Sequence, residues 1–200
     1  HSEGAEKSAG AITLEVCGRG LVSSSGAELY EDKSSVEAYL RVFIGEVSGH
    51  WAYGSRMLDS ARLREVGEQA ARYAREARKR VKVEPGKYTA ILSPLVVGNL
   101  FEYVVEAASA FSVLTGFSMF TRHRIGDVVA SEELSVLDDP RDELLPGSTG
   151  FDDEGVRTKR KAVIERGVLT SLLHNSKTAN AMGTETTGNA GLIIPHAWNI

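Results

Sequence analysis

From Val36 to Ile44 every second residue is apolar (Val36, Ala38, Leu40, Val42, Ile44), with Glu37, Tyr39, Arg41 and Phe43 between them. Successive side chains of a strand point to opposite faces, so this pattern specifies a strand with one buried face. Gly45-Glu46 is a two-residue turn candidate, and Val47 to Tyr53 reads as the returning strand. A second hairpin is written at Ala162–Ile164 and Val168–Leu173, around Glu165-Arg166-Gly167. Hairpins dominate and regular strand–helix–strand alternation is absent, which points to an α+β fold with largely antiparallel sheets.

Two long helices complete that expectation. Asp59 or Ser60 can cap a helix running to about Val81, with Leu63, Val66, Ala70, Tyr73, Ala74, Ala77 and Val81 on one stripe. Glu68, Arg72, Glu76 and Arg80 alternate in sign on its outer face, which reads as a solvated ladder rather than a nucleic-acid surface. Ser93-Pro94 opens a second helix through Phe111 whose residues are apolar on nearly every side, so this helix is expected to be buried. Shorter elements are expected at Ala11–Cys17, Tyr88–Leu92 and Leu134–Leu137 (strands) and Ser176–Met182 (a helix stopped by Gly183). Residues 1–10 read as a flexible lead-in. A domain boundary near Val83–Gly86 would divide residues 1–84 from residues 85–200.

Composition excludes several function classes. A net charge of −4 gives no electrostatic reason to bind nucleic acid or an acidic membrane. One cysteine, Cys17, rules out an internal disulfide framework and fits a reducing compartment. No apolar run approaches the ~18–20 residues of a membrane span. A cytoplasmic protein is expected. The five histidines (His1, His50, His123, His174, His196) show no metal-ligand spacing.

Two clusters carry chemical interest. Phe151-Asp152-Asp153-Glu154-Gly155 sets three adjacent carboxylates beside a glycine. Neither a strand nor a helix gathers three neighbours on one face, so the residues suit a solvated acidic turn; a metal or amine site is the sharper reading, which the spacing alone does not support. Glu102 and Glu106 stand four apart on one face of the second long helix. Buried together they would form a paired acid/base site; otherwise they point to water or to Arg122 and Arg124.

The segment Phe151–Thr158, followed by Ala162–Leu169, resembles the TldD/PmbA family, long labelled modulators of DNA gyrase. Thr178-Ala179 and Thr186-Thr187-Gly188-Asn189-Ala190 resemble a later segment of that family, and Ile125-Gly126-Asp127 an earlier one. Against the family, the chain looks like an interior portion that lacks an N-terminal α/β region and the distal C-terminal part. The resemblance implies that residues 1–84 link to the family's N-terminal region and that residues 85–200 form part of its C-terminal core domain. In the peptidase-bearing branch the second long helix holds an HExxxH zinc motif. Here Glu102 and Ala107 fall at the histidine positions and Tyr103 at the glutamate. The resemblance therefore implies the PmbA (TldE-like) branch: a non-catalytic subunit with no cofactor of its own, paired with a zinc-bearing TldD-like paralogue or with itself, acting on unfolded peptides. It also implies that Asp152, Asp153, Glu154, Thr187, Gly188 and Asn189 border a groove where an extended peptide pairs with a sheet edge. A peptidase with ligands outside this segment, and a binding module that modulates DNA gyrase, remain the alternatives.

Overall fold

The structure is a computed structural model that describes residues 5–79 and 81–200. The fold is α+β, with two antiparallel three-stranded sheets and two long helices. The chain divides into two compact units, residues 1–17 with 34–96, and residues 18–33 with 97–200.

In the first unit β1 (Lys7–Val22), β2 (Glu28–Ile44) and β3 (Val47–Ser55) form one sheet in that order, and the outer parts of β1 and β2, residues 18–33, belong to the second unit. The expected alternation in β2 holds: Val36, Ala38, Val42 and Ile44 are buried. The β2–β3 register runs from Val36 opposite Ser55 to Ile44 opposite Val47, closed by Gly45 at φ 58°. Helix α1 (Ser60–Glu76) packs on β3 and places Ala70, Ala71 and Ala74 against Val42, Ile44, Val47 and Trp51. Asp59 caps it, accepting from the N–H groups of Ala61 (2.8 Å) and Arg62 (3.2 Å), a contribution of about 1 kcal/mol. Gly49 is what lets helix and strand meet. A β-carbon there would lie 2.2 Å from the Ala70 carbonyl oxygen.

Several expectations change here. Of the expected lead-in, residues 1–4 lie outside the described residues, and β1 already begins at Lys7 and continues past the expected Ala11–Cys17 to Val22. Helix α1 ends at Glu76; Val81 is exposed, and Arg80 lies outside the described residues. Of the expected ladder, Arg72–Glu76 is formed, at 4.0 Å between exposed side chains. Residues 88–92 form no strand. All five are exposed and no strand among the described residues pairs with them, so alternation alone has nothing to bond to.

In the second unit β4 (Val136–Asp138), β5 (Lys161–Glu165) and β6 (Val168–Leu169) form an antiparallel sheet in chain order. The β5–β6 turn holds Arg166 at φ 48° and Gly167 at φ 80°, the left-handed pair a tight hairpin requires. Helix α2 (Pro94–Ala107) ends four residues before the expected Phe111. The Ala108 carbonyl accepts from the N–H of Leu173 and the Leu173 carbonyl from the N–H of Ala110, both at 2.9 Å, which takes this stretch out of the helix before α3 (Ala110–Leu114) begins. Val105 alone in α2 is fully buried, beside Val136, Val163, Leu169 and Leu173. Val96, Leu100 and Tyr103 are 43%, 50% and 69% exposed, so the all-round burial expected for this helix is not found. Helix α4 (Ser176–Met182) is capped by Asn175, reciprocally with Thr178, and stops at Gly183 (φ 64°).

Candidate functional site

Asp152 sits at the centre of the acidic turn and is fully buried, which corrects the solvated turn expected for it. One carboxylate oxygen accepts from the N–H groups of Glu154 (3.0 Å) and Val156 (2.8 Å), the other from Ala190 (3.0 Å). It thereby ties the turn to the glycine-rich loop, while Gly155 takes φ 80° to close the turn. Asp153 is exposed and pairs with Arg19 at 2.6 Å; the Arg19 guanidinium also lies 4.7 Å from the centre of the Phe151 ring. Glu154 accepts from the N–H (2.8 Å) and hydroxyl (2.6 Å) of Ser176 at the start of α4. Each acid of the run thus has its own partner.

The second cluster, Thr187–Asn189, is built the same way. The Thr187 hydroxyl donates to the Asn189 side-chain oxygen (2.8 Å) and accepts from the His174 N–H (2.8 Å). Gly188 is at φ 71°, where a β-carbon would meet the Arg157 carbonyl oxygen at 2.7 Å. Asn189 is fully buried and donates to Asp138 (2.6 Å) and to the His196 carbonyl (2.8 Å).

Asp138 is the residue that sequence reasoning missed. It is fully buried and accepts from Lys161 Nζ (3.0 Å), Asn189 Nδ2 (2.6 Å), and the backbone N–H groups of Trp198 (2.8 Å) and Asn199 (3.1 Å). Burial pulls the Lys161 ammonium below its usual range, and the adjacent Asp138 opposes that pull. The only local signal was an aspartate at a strand end, since its partners arrive from distant parts of the chain.

Two grooves adjoin these networks. The first, of about 700 Å³, lies between one face of α2 (Glu102, Val105, Glu106, Ser109) and the segment 194–200. Glu102 and Glu106 share that face and are exposed. No ion pair joins them to Arg122 or Arg124 among the described residues. The three positions expected to align with the zinc motif separate: Glu102 lines the groove, Tyr103 points to solvent, and Ala107 packs on the core. Glu102 and Ala107 are about 140° apart around a regular helix. An alanine methyl offers no electron pair, so these residues do not fit a zinc site of the HExxxH kind. Among the described residues no group of three His, Cys, Asp or Glu is placed to hold a metal ion. The second groove, of about 530 Å³, runs between the extended segment 156–159, α4 and the loop 184–187. Of the residues expected to meet a peptide, Thr187 lines it. Asp152, Gly188 and Asn189 are buried behind it, and Asp153 and Glu154 are exposed in the adjoining turn.

His174 is 6% exposed and its Nδ1 has no hydrogen-bond partner among the described residues. Burial holds its pKa below the usual 6.5. The unfolded chain therefore takes up this proton at a higher pH than the native one. The stabilisation is complete above pH 6.5 and is lost as pH falls below it toward the native value. Urea midpoints at pH 7.5 and 5.5 should drop less in His174→Gln than in the parent chain, and equal drops would remove His174 as a source of acid sensitivity.

The family model described as the PmbA/TldA metallopeptidase C-terminal domain matches residues 85–200. The chain belongs to the PmbA/TldD family. A metalloprotease of Methanocaldococcus jannaschii is 34% identical over 154 residues, 73% of this chain and 34% of the relative. The metalloprotease PmbA of Escherichia coli O157:H7 is 33% identical over 165 residues, 78% of this chain and 34% of the relative. Among solved structures, a candidate modulator of a DNA gyrase from Thermotoga maritima superposes with a TM-score of 0.79 at 29% identity, covering 93% of this chain and 44% of that one. TldE from Thermococcus kodakarensis superposes at 0.77 with 23% identity, over 96% of this chain and 45% of that one, a likeness of fold. The chain thus spans about a third of these curated relatives and under half of these solved chains. No helix among the described residues is long and apolar enough to cross a membrane.

Proposed function

We propose that this chain is a PmbA/TldE-like, non-catalytic part of a TldD/TldE-type metallopeptidase complex that degrades or processes unfolded peptides. What supports the reading is the donor chemistry of α2: Glu102, Tyr103 and Ala107, expected at the positions of an HExxxH motif, include no histidine. Zinc would reside in a TldD-like partner, or a second copy of this chain would complete the assembly. Residues 85–200 would be part of the family's C-terminal core domain, with 1–84 leading from its N-terminal region. A cytoplasmic setting agrees with the single exposed Cys17.

In this reading the acidic turn Asp152–Glu154 and Thr187–Asn189 border the peptide groove. The segment 156–159, held to Phe151 by an isolated antiparallel bridge at Arg157, would supply the edge that the peptide joins. Thr158 is turned inward and its N–H donates to the Gly150 carbonyl at 3.2 Å, whereas the N–H groups of Arg157 and Lys159 donate to no protein acceptor among the described residues. Alternate free donors are what an added extended strand pairs with.

Metal analysis and peptide-cleavage assays on the full-length chain, alone and mixed with its TldD-like paralogue, test the proposal. Cleavage should arise only on mixing. Stoichiometric zinc together with cleavage by the chain alone would overturn it. Binding to DNA gyrase with no peptidase activity in either preparation would favour the regulatory alternative.

A further inference from the structure

We propose that the groove beside the segment 156–159 selects peptides through a carboxylate, which Arg157 and Lys159 hold. The inference rests on the peptide-binding reading above and adds a charge preference to it.

The basic residues of this region divide into two groups. Arg160 pairs with Asp139 (3.0 Å), Lys161 with Asp138 (3.0 Å) and Arg19 with Asp153 (2.6 Å). Arg157 and Lys159 have no hydrogen bond or ion pair to their side chains among the described residues, and both are exposed and line the groove. They are alternate residues of an extended segment whose middle residue, Thr158, is 6% exposed and faces inward, so both side chains leave from the same side, with Cα atoms roughly 7 Å apart.

The remaining charge around them is small. Among the described residues Glu185 is the one acid lining the groove, and Glu154, in the adjoining turn, is already engaged by the N–H and hydroxyl of Ser176. Two unpaired cations therefore face one acid among the described residues, on a chain whose overall charge is −4. A peptide lying along the free N–H groups of Arg157 and Lys159 brings its own groups past both cations. The anions it can offer are an aspartate or glutamate side chain and its terminal carboxylate. A guanidinium fork accommodates either oxygen pair, and the ammonium adds a mobile point charge.

The test is binding of a short unfolded peptide to the full-length protein by fluorescence anisotropy, in three versions. One is amidated with a single glutamate, one is amidated with glutamine in its place, and one has the glutamine with a free C-terminal carboxylate. At least one acidic version should bind roughly threefold to tenfold tighter than the neutral one, the range that two exposed ion pairs supply. The margin should shrink in about 0.5 M salt, where exposed charges are screened. In the double variant Arg157→Gln/Lys159→Gln the margin between acidic and neutral versions should vanish. Which acidic version gains identifies the source of the carboxylate. Equal binding of all three, or a margin that survives in the double variant, overturns the charge preference and leaves the peptide reading standing. Failure of every version to bind removes the peptide reading and this inference with it.

Discussion

Replacing Asp138 by alanine is expected to destabilise the protein by about 3–5 kcal/mol, the usual result of removing one partner of a buried ion pair. The change strands Lys161, whose side chain is 8% exposed, without its counter-charge. It also strips the acceptor from the N–H groups of Trp198 and Asn199 and from the Asn189 amide. For a chain of this size such a loss lowers the melting temperature by roughly 6–20 °C. Adding Lys161→Met to Asp138→Ala should recover part of the loss, because the lone buried charge is then gone. A single variant that melts within a degree or two of the parent would show that the network is not stabilising.

Gly49→Val is expected to come next, at about 3 kcal/mol, the upper end of the usual range for overpacking. At this position a β-carbon would stand 2.2 Å from the Ala70 carbonyl oxygen and 2.3 Å from the Ala74 nitrogen. Both are backbone atoms of α1, which cannot swing aside as a side chain can. The helix must lift off β3, and Ala70 and Ala74, fully buried now, lose their contacts with Val42 and Ile44. Urea unfolding measures this as a lower midpoint at unchanged slope. Gly98→Ala is the control: nothing lies within 4 Å of its β-carbon position and it sits inside α2, so it should stabilise by up to about 1 kcal/mol. Equal effects of the two substitutions would refute the close-approach argument.

What could be read from the residues follows from the range of the interaction that fixes each element. The β2–β3 and β5–β6 hairpins were legible because alternation and a turn glycine lie next to each other in the chain. So were the Asp59 cap and the Gly183 stop, both decided within a helical turn. The early end of α2 was not, because it is set by backbone bonds to Leu173. Asp138 was invisible for the same reason, since its partners Lys161, Asn189, Trp198 and Asn199 come from separate later segments. At the acidic turn, spacing correctly argued against a shared face. It could not show that Asp152 would be buried by the loop that carries Ala190.

The junction between α2 and α3 also bears on how the chain matures. During synthesis the residues from Pro94 to Phe111 leave the ribosome before Leu173, and in that interval the local pattern, which reads as one helix through Phe111, acts without its distant partner. Forming the native junction then means unwinding that helix's last turn in exchange for a bridge to a late segment. A step of that kind belongs among the slower ones, since distant backbone pairing lags behind local order.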